Sequence, residues 1–191
     1  RRLGCDWLAF SGHKLYGPTG VGVLWGRREL LEAMDPMVFG GEMIRQVTWQ
    51  HSEFNDVPYK FEAGTLNLAG IVGLGAAVSF LQRIGWQVIA AHERRLTRLA
   101  LRQLATVPGL TLYGPRRLDD RTSIISFTLA GVHAPDVAQV LDRFGVCVRS
   151  GHHCAMPLMS RLGVPATVRV SFGVYNTAAD VARLIKGLHE V

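Results

Sequence analysis

Cys5-Asp6-Trp7-Leu8-Ala9-Phe10-Ser11-Gly12-His13-Lys14-Leu15-Tyr16-Gly17-Pro18-Thr19-Gly20, followed directly by Val21 to Trp25, is an apolar run, a polar turn and a second apolar run. Short apolar runs bounded by Gly, Pro and Ser predict two strands with a turn between them. Working outward, a short helix is expected over 28–34, ending before Pro36. Irregular chain follows over 40–63, and a loop of that length in a compact protein is usually functional or wraps a partner. A Gly- and Ala-rich helix is expected over 68–83. Gly85 breaks it, and a longer helix runs to about residue 107, stopped by Pro108-Gly109. Beyond Pro108 the texture changes, with strands predicted over 110–113, 122–129, 146–149 and 167–172. Helices are predicted over 135–144 and 177–188, the second with Thr177 as N-cap and Asp180 in its first turn. That alternation predicts a small α+β domain with helices on one face of a largely antiparallel sheet. Two parts are therefore expected, 1–84 and 85–191.

Composition narrows the class. The chain has 191 residues, 48% hydrophobic and 19% charged, with a net charge of +6. This is a globular mixture, and it excludes the low-hydrophobicity, high-charge composition of disorder. Every apolar run falls short of the roughly 18 to 20 residues that a membrane span requires, so no membrane partner is expected. The chain opens on Arg1-Arg2-Leu3-Gly4, without Met and without the apolar region of a secretory signal. A start further upstream is expected. Cys5, Cys147 and Cys154 are too few and too odd in number for a disulfide scaffold, which favours a reducing, cytoplasmic setting. Cys5 and Cys147 lie in apolar runs and are expected to be buried. The basic charge is partly accounted for by one helix. There Leu96, Leu99, Ala100 and Leu104 form one stripe and Arg95, Arg98 and Arg102 the opposite one. Without aromatic interleaving or a groove-reading motif this is a solvated face, and no nucleic-acid partner is expected.

Three polar clusters interrupt the core-like texture. In Ser11-Gly12-His13-Lys14 the hydroxyl and imidazole are potential donors to an anion, and Gly12 permits close backbone approach. A partly desolvated Lys in such a setting is an amine nucleophile able to form a Schiff base, and an isolated surface ammonium is the plain alternative. Gly17, Gly20 and Gly22 match neither dinucleotide-binding nor P-loop spacing, so they read as turn glycines. In Arg149-Ser150-Gly151-His152-His153-Cys154-Ala155, three adjacent potential ligands cannot all face one zinc ion without distortion, and no metal is expected. A thiolate favoured by neighbouring cations, poised in a Gly-containing loop, is the functional reading of Cys154; a turn cysteine is the other. In Thr167-Val168-Arg169-Val170-Ser171, Arg169 is either a snorkelling surface residue or a bidentate carboxylate clamp on a rigid strand. An amine, a thiol and a carboxylate-binding cation together suit chemistry on an amino acid through a carbonyl cofactor.

Ser-Gly-His-Lys-Leu-Tyr-Gly-Pro-Thr-Gly (11–20), Phe-Glu-Ala-Gly-Thr (61–65), Arg-Ser-Gly-His-His-Cys-Ala-Met-Pro-Leu-Met (149–159) and Arg-Val-Ser-Phe-Gly-Val-Tyr-Asn-Thr (169–177) resemble the SufS-type cysteine desulfurases. These are class V members of the aminotransferase fold that use pyridoxal 5'-phosphate. The likeness runs through the whole chain and corresponds to the C-terminal half of such an enzyme. It implies an α/β fold, the C-terminal part of the fold-type I PLP-dependent transferase fold. A remnant of the large cofactor-binding domain would be followed by a small α+β domain bearing the cysteine loop. By resemblance, Lys14 would carry the cofactor and move the Cα proton of L-cysteine, and Ser11 and His13 would hold its phosphate. Gly64 and Thr65 would reach the cofactor phosphate of the neighbouring subunit in a homodimer. Arg169 would clamp the substrate carboxylate, and Arg149 would position the substrate or the cysteine loop. Cys154 would take the sulfur as a persulfide for iron–sulfur cluster assembly.

The departures from the family pattern are specific. The family's upstream Asp, ring-stacking His and phosphate-binding helix N-terminus are not in these residues, so residues 1–191 alone are expected not to turn over. Leu66 stands where the family usually has Pro, and only Gly40 and Gly41 precede Glu42. Pro135 occupies the position of a His found in relatives with a zinc-containing acceptor, which favours a SufE-like acceptor. Cleavage of L-selenocysteine is the nearest alternative within the same chemistry, and a non-catalytic dimerising remnant is the alternative outside it.

Overall fold

The computed structural model describes residues 3–115 and 117–191; Arg1 and Arg2, which open the chain, lie outside them. The chain divides into two compact units, Arg1–Ile84 and Gly85–Val191.

In the first unit, strand β1 (Trp7–Ser11) pairs antiparallel with β2 (Gly22–Gly26), from Trp7 opposite Gly26 to Ser11 opposite Gly22. The polar turn between them is a single 3-10 turn, Gly12–Leu15, closed by Tyr16 in the left-handed region at φ 61°. Helix α1 (Arg28–Ala33) follows. The stretch expected to be irregular holds a hairpin, β3 (Ile44–Val47) and β4 (Ser52–Phe54), and a 3-10 turn at Tyr59–Phe61. The strands are short and polar, which hides their alternation. Across the hairpin, Arg45 bonds Glu53 at 2.9 Å, and it also bonds Asp56 just beyond β4 at 3.0 Å, both at the surface. At the tip, Thr48 Oγ1 accepts the His51 N–H at 3.0 Å. Helix α2 (Leu68–Ile84) begins at Asn67, whose Oδ1 accepts the Gly70 N–H at 2.9 Å, an N-cap bond.

The second unit opens with α3 (Trp86–Leu104). Its Leu96, Ala100 and Leu104 are buried and its Arg95, Arg98 and Arg102 exposed, as the 3.6-residue period predicts. Strands β5 (Leu110–Tyr113) and β6 (Ile124–Leu129) lead to α4 (Ala134–Arg143). The third strand, β7, spans Arg149–Gly151 rather than 146–149. The backbone of Gly145 and Val146 is spent on closing α4, Val146 donating to Leu141 O at 3.1 Å and Gly145 taking the left-handed φ of 67° that a helix C-terminus favours. Val146 and Val148 pack on the core, so Cys147 points away from it and is exposed, and Cys5 is only half-buried. Neither cysteine is a core residue.

Helix α5 (Met156–Leu162), absent from the sequence-based expectation, precedes β8 (Thr167–Ser171) and α6 (Ala178–Leu188). The strands form one antiparallel sheet in the order β5-β6-β8-β7. Ile125, Phe127, Val168 and Val170 face a core completed by Leu96 and Leu104 of α3, Val137 and Leu141 of α4, and Val181 and Leu184 of α6. Helices thus cover this face, and the alternate residues Ser126, Thr167 and Arg169 turn to the other. At the start of α6, Thr177 and Asp180 form the expected capping box, with the Thr177 N–H donating to Asp180 Oδ2 at 2.8 Å. That bond holds the Asp180 carboxyl below its ordinary range. Asp180→Ala is expected to destabilise the second unit by about 1 kcal/mol, read from the urea midpoint. Among the described residues, no single helix is long and apolar enough to cross a membrane.

Candidate active site

Lys14 stands in the 3-10 turn between β1 and β2, with its side chain exposed. Gly12 anchors that turn at both ends, donating its N–H to Val21 O at 2.8 Å and accepting the Gly17 N–H at 3.0 Å. A Cβ at Gly12 would lie 2.9 Å from Val21 Cγ1 and 3.0 Å from Val21 O, so only glycine lets the turn fold down onto β2. The result is a rigid mount on which half-buried Ser11 and exposed His13 and Lys14 share four consecutive positions. A hydroxyl, an imidazole and a primary amine form a donor set that fits a phosphate and a carbonyl carbon, the two functions of pyridoxal phosphate. Gly64 and Thr65 lie in a separate segment of the same unit. There Gly64 donates its N–H to Gly41 O at 2.9 Å, and Thr65 is exposed. Two residues further on, Asn67 donates Nδ2 to Gly20 O at 3.1 Å, tying that segment to the loop after Lys14.

Cys154 sits in a tight turn of the second unit, exposed to solvent. The Ala155 N–H donates to His152 O at 2.8 Å, and the two residues between, His153 and Cys154, both have positive φ, 54° and 61°. Consecutive left-handed residues are the mark of a type I′ turn, a shape that normally selects Asn, Asp or Gly. The Cys154 N–H donates to His152 Nδ1 at 3.2 Å, and Arg149 Nη2 donates to Cys154 Sγ at 3.5 Å.

Arg149 also faces Arg169. The two are direct partners in the β7–β8 ladder, and Ser126 pairs Arg169 from the other side. Directly opposed residues of an antiparallel pair share a face, so two guanidiniums are set side by side, an arrangement that opposes folding unless an anion joins them. Among the described residues no ion pair neutralises either, and the buried Nε of Arg169 has no partner. Arg169, Thr167, Ser126, His153 and Tyr113 line a cavity of about 470 Å³ closed on its apolar side by Leu158 and Leu162 of α5. Between the alternatives of snorkelling cation and clamp, this geometry favours the clamp. The second unit thus brings Arg149, Cys154 and Arg169 together, while Ser11, His13, Lys14, Gly64 and Thr65 belong to the first.

Two further residues carry electrostatic signals: Arg121, which the sequence does not single out, and His153, which it offers only as a metal ligand. Arg121 lines the same cavity and donates to the carbonyls of Pro115 at 2.8 Å and Tyr113 at 3.1 Å; burial lowers its pKa. His153 is held below the ordinary imidazole range, first by burial and then by the cations Arg169 on β8, Arg149 on β7 and the adjacent His152, with its bond to Thr167 O acting the other way. A depressed histidine binds its proton in the unfolded chain before it does so in the folded one. Its stabilising share is therefore complete above about pH 6.5, the ordinary imidazole value, and falls as the pH drops from there through the folded-state value. Urea midpoints taken down that range are expected to fall less in His153→Gln than in the parent sequence.

The aminotransferase class-V family matches residues 1–184. A probable cysteine desulfurase of Streptomyces coelicolor is 51% identical over 99% of this chain and 45% of its own length. Among solved structures, the cysteine desulfurase CsdA of Escherichia coli superposes with a TM-score of 0.93 at 42% identity, over 99% of this chain and 46% of that one. A cysteine desulfurase of Thermococcus onnurineus NA1 superposes at 0.95 with 40% identity, over 99% and 47%. The chain spans about half the length of the relatives it matches. Its fold is accordingly that of about half of a cysteine desulfurase chain. With 184 of its 191 residues matched and both units included, the chain belongs to the aminotransferase class-V family.

Proposed function

We propose that this chain is part of a pyridoxal-phosphate-dependent cysteine desulfurase that transfers the sulfur of L-cysteine to Cys154 and releases L-alanine. The observation that carries the reading is the unneutralised Arg149–Arg169 pair, set in register beside the sulfur of Cys154. A small substrate with a carboxylate supplies the missing anion and brings its side chain to the thiol. The similarity to cysteine desulfurases over nearly all of the chain supports the same chemistry. Both faces of the β1–β2 ribbon expose large apolar side chains, among them Leu8, Leu24 and Trp25, and an isolated two-stranded ribbon does not hold such surface in water. That supports its place in a longer protein.

In this reading Ser11 and His13 bind the cofactor phosphate, and Lys14 holds the cofactor through its amine and moves the proton at the substrate Cα. When bound, pyridoxal phosphate supplies the electron sink that weakens bonds around the substrate Cα and Cβ. Gly64 and Thr65 reach the neighbouring subunit's cofactor phosphate across a homodimer. Arg169 fixes the substrate carboxylate on β8, a rigid mount that converts binding into orientation. Arg149 holds the Cys154 sulfur toward the substrate sulfur. The substrate C–S bond breaks and a Cys154 S–S bond forms. The electron pair of the broken bond stays on Cβ, which takes up a proton, so cysteine and the thiol become alanine and a persulfide. A SufE-like protein accepts the sulfur for iron–sulfur cluster assembly in the cytoplasm, a setting that the three free cysteines suit.

The test uses the full-length protein carrying this sequence, loaded with cofactor and given L-cysteine without an acceptor. One alanine per subunit, with one extra sulfur atom on the peptide that contains Cys154, is expected. Alanine without that mass, or the mass on Cys5 or Cys147, contradicts the assignment.

A further inference from the structure

We propose that His153 is a positioning residue, tethering the cysteine turn to the strand that carries Arg169; its catalytic consequence rests on the desulfurase reading above. His153 Nε2 lies 3.0 Å from Thr167 O and 2.9 Å from Thr167 Oγ1. A carbonyl oxygen only accepts, so Nε2 carries the ring proton and donates it to Thr167. Thr167 is fully buried on β8, and its neighbour on the same face, two residues on, is Arg169. The same Thr167 pairs with Gly151 in the β7–β8 ladder. The turn is thus pinned to one residue at two points, by the backbone register before it and by the imidazole within it. Cys154 follows His153 directly and cannot shift without moving that ring.

The tether answers a difficulty in the turn itself. Two consecutive non-glycine residues with positive φ are disfavoured and persist only where the surroundings over-determine them. The backbone bonds of the turn stay within it, and the Arg149 Nη2 bond to Cys154 Sγ at 3.5 Å ties it to β7, not to the strand of Arg169. His152 O accepts the Ala155 N–H, and His152 Nδ1 accepts the Cys154 N–H, both within the turn. The imidazole of His153 supplies the constraint to β8. It thereby links the nucleophile to the carboxylate clamp through one buried threonine, so that sulfur and substrate are registered on the same strand.

Two variants of the full-length protein separate positioning from backbone strain. Asn is at home at positive φ, but its amide is too short to reach Thr167. Gln is less suited to that φ, but its terminal amide can stand where Nε2 does. His153→Asn is expected to speed amide exchange at Ala155 about tenfold, because the turn opens locally, while His153→Gln stays near the parent. For alanine release, kcat is expected to fall about tenfold or more in His153→Asn, with KM within about twofold, and to recover most of that loss in His153→Gln. Unchanged Ala155 exchange in His153→Asn overturns the tether. Faster exchange with kcat unchanged overturns the positioning role, as does a His153→Gln variant as impaired as His153→Asn. If the parent releases no alanine from cysteine, the desulfurase reading fails, and the exchange pattern alone then decides whether the tether exists.

Discussion

Cys154→Ser in the full-length, cofactor-loaded protein is expected to lower the rate of alanine formation from L-cysteine by about 10³-fold or more, the scale of losing an essential nucleophile. Serine is the sharper choice because it keeps the size of the side chain, the left-handed turn at φ 61° and a partner for Arg149. What it loses is sulfur, and a hydroxyl, far less acidic than a thiol and a poor nucleophile toward sulfur, neither attacks a sulfur atom nor carries one away as a persulfide. Cofactor loading is expected to be unaffected, since the proposed cofactor residues Ser11, His13 and Lys14 belong to the other unit. Alanine release within about tenfold of the parent rate would mean that sulfur leaves without Cys154.

Phe127→Ala is expected to remove about 3–5 kcal/mol from the stability of the second unit, enough to consume much of the margin of a small domain. Phe127 is the largest fully buried side chain of the core formed by the sheet with α3, α4 and α6. Its backbone pairs with Val168, which stands between Thr167 and Arg169 on β8. Cutting the ring away therefore loosens the strand that presents both site residues, and a fall in activity is expected to accompany the fall in the denaturation midpoint. A loss below about 1 kcal/mol would mean that this core packs differently.

Local patterns were the legible part of the fold. The stripe of Leu96, Ala100 and Leu104 against Arg95, Arg98 and Arg102 follows from helical period alone, and the Thr177–Asp180 box needs only three residues of separation. Elements without such a local pattern were not legible. The strands of the β3–β4 hairpin are too short and polar to show an alternation, and β7 starts late because Val146 serves the end of α4. Helix α5 announces itself only through Pro157 in its first turn and Gly163 after its end, a signal that its Met- and Leu-rich sequence masks.

The site divides the same way. Lys14, Cys154, Arg149 and Arg169 stand out in the sequence alone, as chemistry-bearing residues within polar clusters. That Arg149 and Arg169 are cross-strand partners is a property of sheet order, which pairs residues 20 positions apart and has no local signature. The role of His153 is hidden for the same reason. In sequence it is one of two adjacent histidines, and only the fold sets its Nε2 against Thr167 while His152 turns its Nδ1 to the Cys154 N–H.

Borohydride reduction of the full-length protein with pyridoxal phosphate, followed by digestion and peptide mass mapping, tests the central assignment most directly. The reduced cofactor is expected on the side-chain nitrogen of Lys14, on the peptide that spans the 3-10 turn. Attachment at Lys60 or Lys186, or no attachment at all, would contradict it.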